Sequence, residues 1–291
     1  MKNFERRIAF CLAFALTIAF AGSVLGQSTV RGTWQAEYRE KQPDSLQISF
    51  KAADSKGDHN FGSTIKFERT QGLSPQQLAG PLSAVSFSIP SDAGTIDLRG
   101  TFEKNRGKGD FTFVSDPNFS ARVADLGFEE IDSEKLFASA VLNVKLDTVS
   151  ELRNSGIKID EYEDIFKATI FKIDANYITE MGQAGFANLD LEDLVKGRIF
   201  KIDAAYAREV NSMGFGDQSM ESLVKLRIFK ITPEFLSEMK QQGFVGLDPD
   251  QLVQLRIFKI DAEFIQEMKA SGYANPTVDE LVQLKIRGRI D

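Results

Sequence analysis

The chain has 291 residues and a formal net charge of −7, with 42 acidic side chains against 35 basic ones. That balance argues against nucleic acid and anionic membrane surfaces as partners, both of which are held by basic patches. With one cysteine and one histidine, neither a disulfide framework nor a zinc-thiolate site is expected, and a Ser/His/Asp triad would have a single candidate.

Lys2, Arg6 and Arg7 open the chain, Ile8 to Ala21 is apolar almost throughout, and small residues follow at Ala21-Gly22-Ser23 and Val24-Leu25-Gly26. This is the order of a secretory signal peptide, with an apolar run short for a membrane span. Residues 1–26 are therefore expected to be a signal, cleaved after Ser23 or Gly26, and the protein to be exported to a periplasmic or extracellular location. Cys11 falls inside the signal, behind Phe10, where a lipoprotein signal wants a small residue. Cleavage would leave a mature chain without cysteine and without a membrane span.

From 28 to 115 the apolar period is two. Trp34, Ala36 and Tyr38 alternate with polar residues, as do Leu46, Ile48 and Phe50, then Ile65 and Phe67. Val85, Phe87 and Ile89 follow, then Ile96, Leu98 and Phe102, then Phe111 and Phe113. Turn signals at Asp54-Ser55-Lys56-Gly57, Ser91-Asp92-Ala93-Gly94 and Asn105-Arg106-Gly107 divide an antiparallel meander of about six strands with one buried face. A short helical turn is expected at Ser74-Pro75-Gln76-Gln77. Gly32-Thr33-Trp34 resembles the opening of lipocalins, yet about six strands fall two short of an eight-stranded ligand barrel. Core packing is the expected role of Trp34, with ligand contact as its alternative.

From 116 to 291 the dominant signal is a repeat. Glycines stand at 127, 156, 185, 214, 243 and 272, each twenty-nine positions after the last, and Arg-Ile-Phe-Lys-Ile recurs from Arg198, Arg227 and Arg256. Each unit reads as two short helices. The first begins after Asp132, Asp190, Ser219, Asp248 or Thr277, and the second after Asp174, Asp203, Thr232 or Asp261, all residues that cap a helix N-terminus. Lys145 breaks that series, so its helix is expected to start without a good cap. Each glycine is expected to close a second helix in a left-handed conformation, with the apolar residue after it packing back. Asp116-Pro117-Asn118-Phe119 opens the array with a lone second-type helix, and Val278 to Ile286 ends it with a lone first-type one. On the first helices Leu194, Val195 and Ile199, with their counterparts one and two repeats on, are expected to form the apolar face. The fold expected is thus α+β: an N-terminal antiparallel meander followed by an α-solenoid of helical hairpins, whose copies share a core that none could form alone.

The strand Gly107 to Phe113 (Gly-x-Gly-x-Phe-x-Phe) leading into Asp116-Pro117-Asn118-Phe119 and then Leu-Val-x-Leu-Arg-Ile units resembles the repeat-bearing C-terminal regions of BlaR-type sensor metallopeptidases, and exported proteins built from such repeats. The peptidase part, with its H-E-x-x-H motif, is missing. The resemblance implies a cell-envelope recognition or regulatory module and carries over no catalytic residue.

The chemistry expected is accordingly binding, with no cofactor, no metal and no catalytic site, and with another envelope protein or peptide as partner. His59, in Gly57-Asp58-His59-Asn60, reads as a turn histidine. At about 100° per residue, Arg198 falls between Leu194 and Val195 on the helical wheel, inside the apolar arc, as do Arg227 and Arg256 in later units. Two readings follow: an internal salt-bridge ladder with Glu209 and its equivalents, or a row of arginines binding acidic ligands. Lys201, Lys230 and Lys259 read as solvated and open to a partner. The alternatives to a recognition module are a carboxylate-dependent hydrolase and a small-ligand carrier, each with its site in the β-domain.

Overall fold

The structure, a computed structural model, describes residues 27–54, 57–186, 188–215 and 218–288. The expected signal segment, with Cys11, lies outside them. The period-two region forms one six-stranded antiparallel sheet from β1 (Thr29–Tyr38), β2 (Ser45–Asp54), β3 (Gly57–Lys66), β4 (Ser83–Ser91), β5 (Gly94–Glu103) and β6 (Arg106–Ser115). The order across it is β3-β2-β1-β6-β5-β4, so the meander's two halves meet where the first strand pairs with the last. Two 3-10 turns fill the long connection between β3 and β4. One, at Pro75–Gln77, lies where the sequence placed a helical turn, and there the Ser74 N–H donates to the Gln77 side chain at 2.9 Å. The other, at Phe67–Arg69, takes Phe67 out of the strand expected for it. His59 also departs from expectation. The β2–β3 ladder continues to Asp54 opposite Gly57, so His59 belongs to a strand, opposite Ala52, and not to a turn.

Among the described residues twelve helices follow: α1 (Pro117–Asp125), α2 (Ser133–Leu142), α3 (Asp147–Asn154), α4 (Tyr162–Phe171), α5 (Ala175–Gln183), α6 (Leu191–Ile199), α7 (Ala204–Ser212), α8 (Met220–Ile228), α9 (Pro233–Gln241), α10 (Pro249–Ile257), α11 (Ala262–Ala270) and α12 (Val278–Arg287). Their starts obey the sequence. Asp132, Asp174, Asp190, Asp203, Ser219, Thr232, Asp248, Asp261 and Thr277 each accept from a backbone N–H of the first turn. The helix near Lys145 has no such cap: α3 begins after Leu146 without a side-chain bond, and Lys145 instead reaches Asp92 in the β4–β5 turn at 2.6 Å. The six periodic glycines all have φ between 84° and 104°. In five of these turns the following apolar residue donates its N–H to a carbonyl near the helix end, as Phe186 does to Met181 and Phe244 to Met239. A glycine is favoured there because any Cβ disfavours the left-handed region.

The even-numbered helices α2, α4, α6, α8, α10 and α12 pack one against the next, and α5 packs on α7. Leu194, Leu223, Leu252 and Leu281 are fully buried along that row. The sheet joins the same core. Phe137 of α2 has no exposed surface and lies 5.0 Å from the Phe111 ring, stacked on it, with Phe50, Phe61 and Phe113 around it at 5.2–5.5 Å. Arg69 reaches across from the sheet side to the last carbonyls of α2, Ala140 and Val141, at 2.9 and 3.2 Å.

Candidate functional site

Helices α2, α4, α6, α8 and α10 end in the same way. The residue after the helix cap, Lys201, Lys230 or Lys259, has φ of 52–56°, as do Lys172 closing α4 and, at 58°, Asn143 closing α2. The next N–H then returns to a carbonyl of the last helical turn: Ile202 to Gly197, Ile231 to Leu226, Ile260 to Leu255. Each unit therefore turns twice through the left-handed region, once at glycine and once at a side-chain-bearing residue. The second turn costs about 1 kcal/mol per lysine relative to an unstrained backbone.

The arginines Arg198, Arg227 and Arg256 hold these turns together. Arg198 lies with its guanidinium 3.7 Å above the Tyr177 ring and donates to the Lys172 carbonyl at 2.8 Å. Arg227 repeats this over Tyr206 with the Lys201 carbonyl, and Arg256 over Phe235 with the Lys230 carbonyl. Lys285 lies 3.9 Å above Phe264 in the last step. Among the described residues no ion pair joins these arginines to a glutamate, which corrects the salt-bridge ladder. An aromatic face on one side and a left-handed carbonyl on the other replace the carboxylate, so the charge is held at the surface rather than buried with a counter-ion. The sequence did carry the signal, because an aromatic stands at one constant interval before each of these cations.

Ile199, Ile228 and Ile257 are not in the core. They are 53%, 52% and 49% exposed, and Ile170 and Ile286 extend the series at 55% and 37%. Leu226 and Leu255 take the buried place near the helix end. At about 100° per residue, Ile228 lies some 200° from Leu226, on the far side of the helix. The phenylalanine after each isoleucine, Phe171, Phe200, Phe229 or Phe258, is half-buried against the core. The result is a periodic stripe: exposed isoleucine, half-buried phenylalanine and strained exposed lysine, repeated along the row, with Arg198, Arg227 and Arg256 on the Lys172, Lys201 and Lys230 carbonyls. Lys172, Lys201, Lys230 and Lys259 have no ion-pair partner among the described residues.

Trp34 is 1% exposed and has its indole N–H shared between the carbonyls of Asp110 and Arg99 at 3.1 and 3.3 Å. Phe87 and Phe102 pack on it with ring centres 5.7 Å away. Gly100 and Gly109 face each other on β5 and β6 beside it, and a Cβ on either would run into the neighbouring strand's backbone. The surround of Trp34 is thus filled by protein. A concavity of about 840 Å³ crosses the opposite, polar face of the sheet, where Gln35, Gln47, Ser49, Thr64 and Lys108 line it. Its carboxylate, Glu37, is tied to Arg39 at 2.8 Å.

Three tyrosines are tuned by burial, among them Tyr177, whose hydroxyl it raises against the pull of Arg198. Burial pushes the Tyr162 hydroxyl up to about 12, against the pull of its 2.8 Å hydrogen bond with Ser139. Burial also raises Tyr206 to about 12, opposed by Arg227 above its ring. Both keep the phenol neutral and in the core. No model of a known protein family matches the chain, and no curated protein matches it.

Proposed function

We propose that this protein is an exported, non-catalytic recognition module of the cell envelope, in which the helical pairs stack as an α-solenoid and a partner protein docks along the isoleucine–lysine stripe. The observation that carries this reading is the recurrence, at the ends of α4, α6, α8 and α10, of one exposed isoleucine and one left-handed lysine that has no ion-pair partner among the described residues. Isolated surface isoleucines need no explanation, but five at equivalent ends of successively packed helices do. The lysines add a second argument. Glycine or asparagine fits that backbone with less strain, and Asn143 occupies it in the first unit, so four lysines in this position point to a use for their ammonium groups. Export rests on the basic, apolar and small-residue order of residues 2–26. Among the described residues no helix is long and apolar enough to cross a membrane.

The test uses point variants of the whole protein, because Phe137 ties the helices to the sheet and truncation would expose both. Wild-type protein and an Ile199→Glu/Ile228→Glu double variant, both confirmed as folded by circular dichroism, are cross-linked in envelope extracts of the source cells. The expected outcome is a discrete partner captured by the wild type and lost in the variant. A partner recovered equally by both would remove the stripe from the function.

A further inference from the structure

We infer that the occupant of the stripe is an extended, polyproline-type peptide segment carrying an apolar and an acidic residue every three positions. The inference rests on the stripe being the recognition surface and adds the partner's conformation and register.

The argument is one of spacing. The anchors Ile170, Ile199, Ile228, Ile257 and Ile286 sit at equivalent ends of adjacent packed helices, so they are separated by a helix-to-helix distance, about 8–10 Å. A partner in register must offer an anchor at that same interval, repeatedly and on one side. A β-strand advances about 3.3 Å per residue with side chains alternating, so every third residue faces the wrong way. Seven residues of an α-helix advance about 10.5 Å, already beyond the upper limit of the step. They also rotate the anchor by about 20° each time, so the mismatch grows along the row. A polyproline II helix has three residues per turn and rises about 9.3 Å in that turn. Its every third side chain stays on one line at the middle of the required interval.

Chemistry then assigns the side chains. One edge of such a segment meets the isoleucines and the half-buried phenylalanines Phe171, Phe200, Phe229 and Phe258, so it is apolar. The next edge meets Lys172, Lys201, Lys230 and Lys259, so it is acidic. The third edge faces solvent and suits proline, which presets the conformation and lowers the ordering cost of binding.

The experiment titrates the whole protein with fluorescent peptides of about five triplets and follows anisotropy. The first has the repeat Pro-Leu-Glu; the second has the same composition with the threefold register scrambled; the third replaces Glu by Lys; the fourth is a helical peptide with Leu and Glu every seven residues. Binding of the first peptide should be at least about tenfold tighter than that of the others and should fall by about tenfold in Lys201→Glu/Lys230→Glu. Equal binding of the scrambled peptide, or tighter binding of the helical or Lys peptide, overturns the inference. So does saturable binding to phosphatidylglycerol vesicles with none to the first peptide. If no peptide binds while the stripe-dependent cross-linked partner persists, the polyproline register is wrong and the recognition surface stands. If that partner survives the isoleucine double variant, the surface itself is wrong.

Discussion

The sheet and the helical row bury their apolar residues by opposite means. In the sheet, residues far apart in sequence converge on one interior: Trp34 bonds to carbonyls 65 and 76 residues away, and Phe137 closes the face from the first helices. Its aromatic side chains are used up in that interior. In the helical row α4 packs on α6, α6 on α8, α8 on α10 and α10 on α12, and each of these five helices sends one isoleucine outward. The difference separates what a side chain does for folding from what it leaves for a partner, and it is open to test.

The largest effect is expected at the joint between the two. Phe137→Ala removes a ring touching four other phenylalanines and should cost about 3–5 kcal/mol, read as a drop in urea midpoint. Because the core is shared, both sheet and helix signals should move together; a loss confined to one would separate them. Next comes a local fit. The Tyr177 hydroxyl donates to the Ile202 carbonyl at 2.9 Å, and a Cβ at Gly197 would lie 2.3 Å from the Tyr177 hydroxyl oxygen. Gly197→Leu should therefore destabilise by about 1–3 kcal/mol, and Tyr177→Phe in the same chain should recover part of it, as the later Phe235–Leu255 pairing suggests. Alkaline pH should act more weakly. With Tyr162 and Tyr206 raised to about 12, the folded chain keeps protons that the unfolded chain loses near the ordinary tyrosine value of 10. Their contribution is complete below pH 10 and falls as pH rises toward 12. Thermal melts across that window should show the decline, and Tyr162→Phe should reduce it.

The smallest stability effects belong to the stripe. Ile228→Ser should change the unfolding free energy by no more than about 0.5 kcal/mol while weakening partner capture. Lys230→Gly should be neutral or stabilising, by up to about 1 kcal/mol, since it relieves a left-handed lysine. A marked loss of stability there would make the lysine a structural residue and break the contrast between the two regions.

Much of this was legible in the residues. Capping oxygens, periodic glycines and period-two alternation are local signals, and they marked the helices and most strands. Three things were not local. Phe67 and His59 shifted because hairpin length is settled by how far the β2–β3 ladder runs, from Ser45–Lys66 to Asp54–Gly57, rather than by turn composition. The arginine ladder was misassigned because charge suggested glutamate, whereas the partner was an aromatic face on the preceding helix. The exposed isoleucines looked like core because their spacing from Val195 and its equivalents fits an apolar face. Whether such a residue is covered depends on where the helix stops, and a left-handed lysine leaves no mark in composition.

Arg69 has a consequence for how this molecule can vary. By capping the C-terminus of α2, and with Lys145 fastened to Asp92, the sheet acts as a fixed end-plate on one side of the helical row. At the opposite end of the described helices, α12 exposes Asp279, Glu280, Gln283 and Arg287 beside Ile286. Between those two ends, the interior units differ little in how they meet their neighbours. Deleting or duplicating a block such as 190–218 should therefore preserve both ends and change only the number of anchor points, making the reach of the stripe an adjustable length.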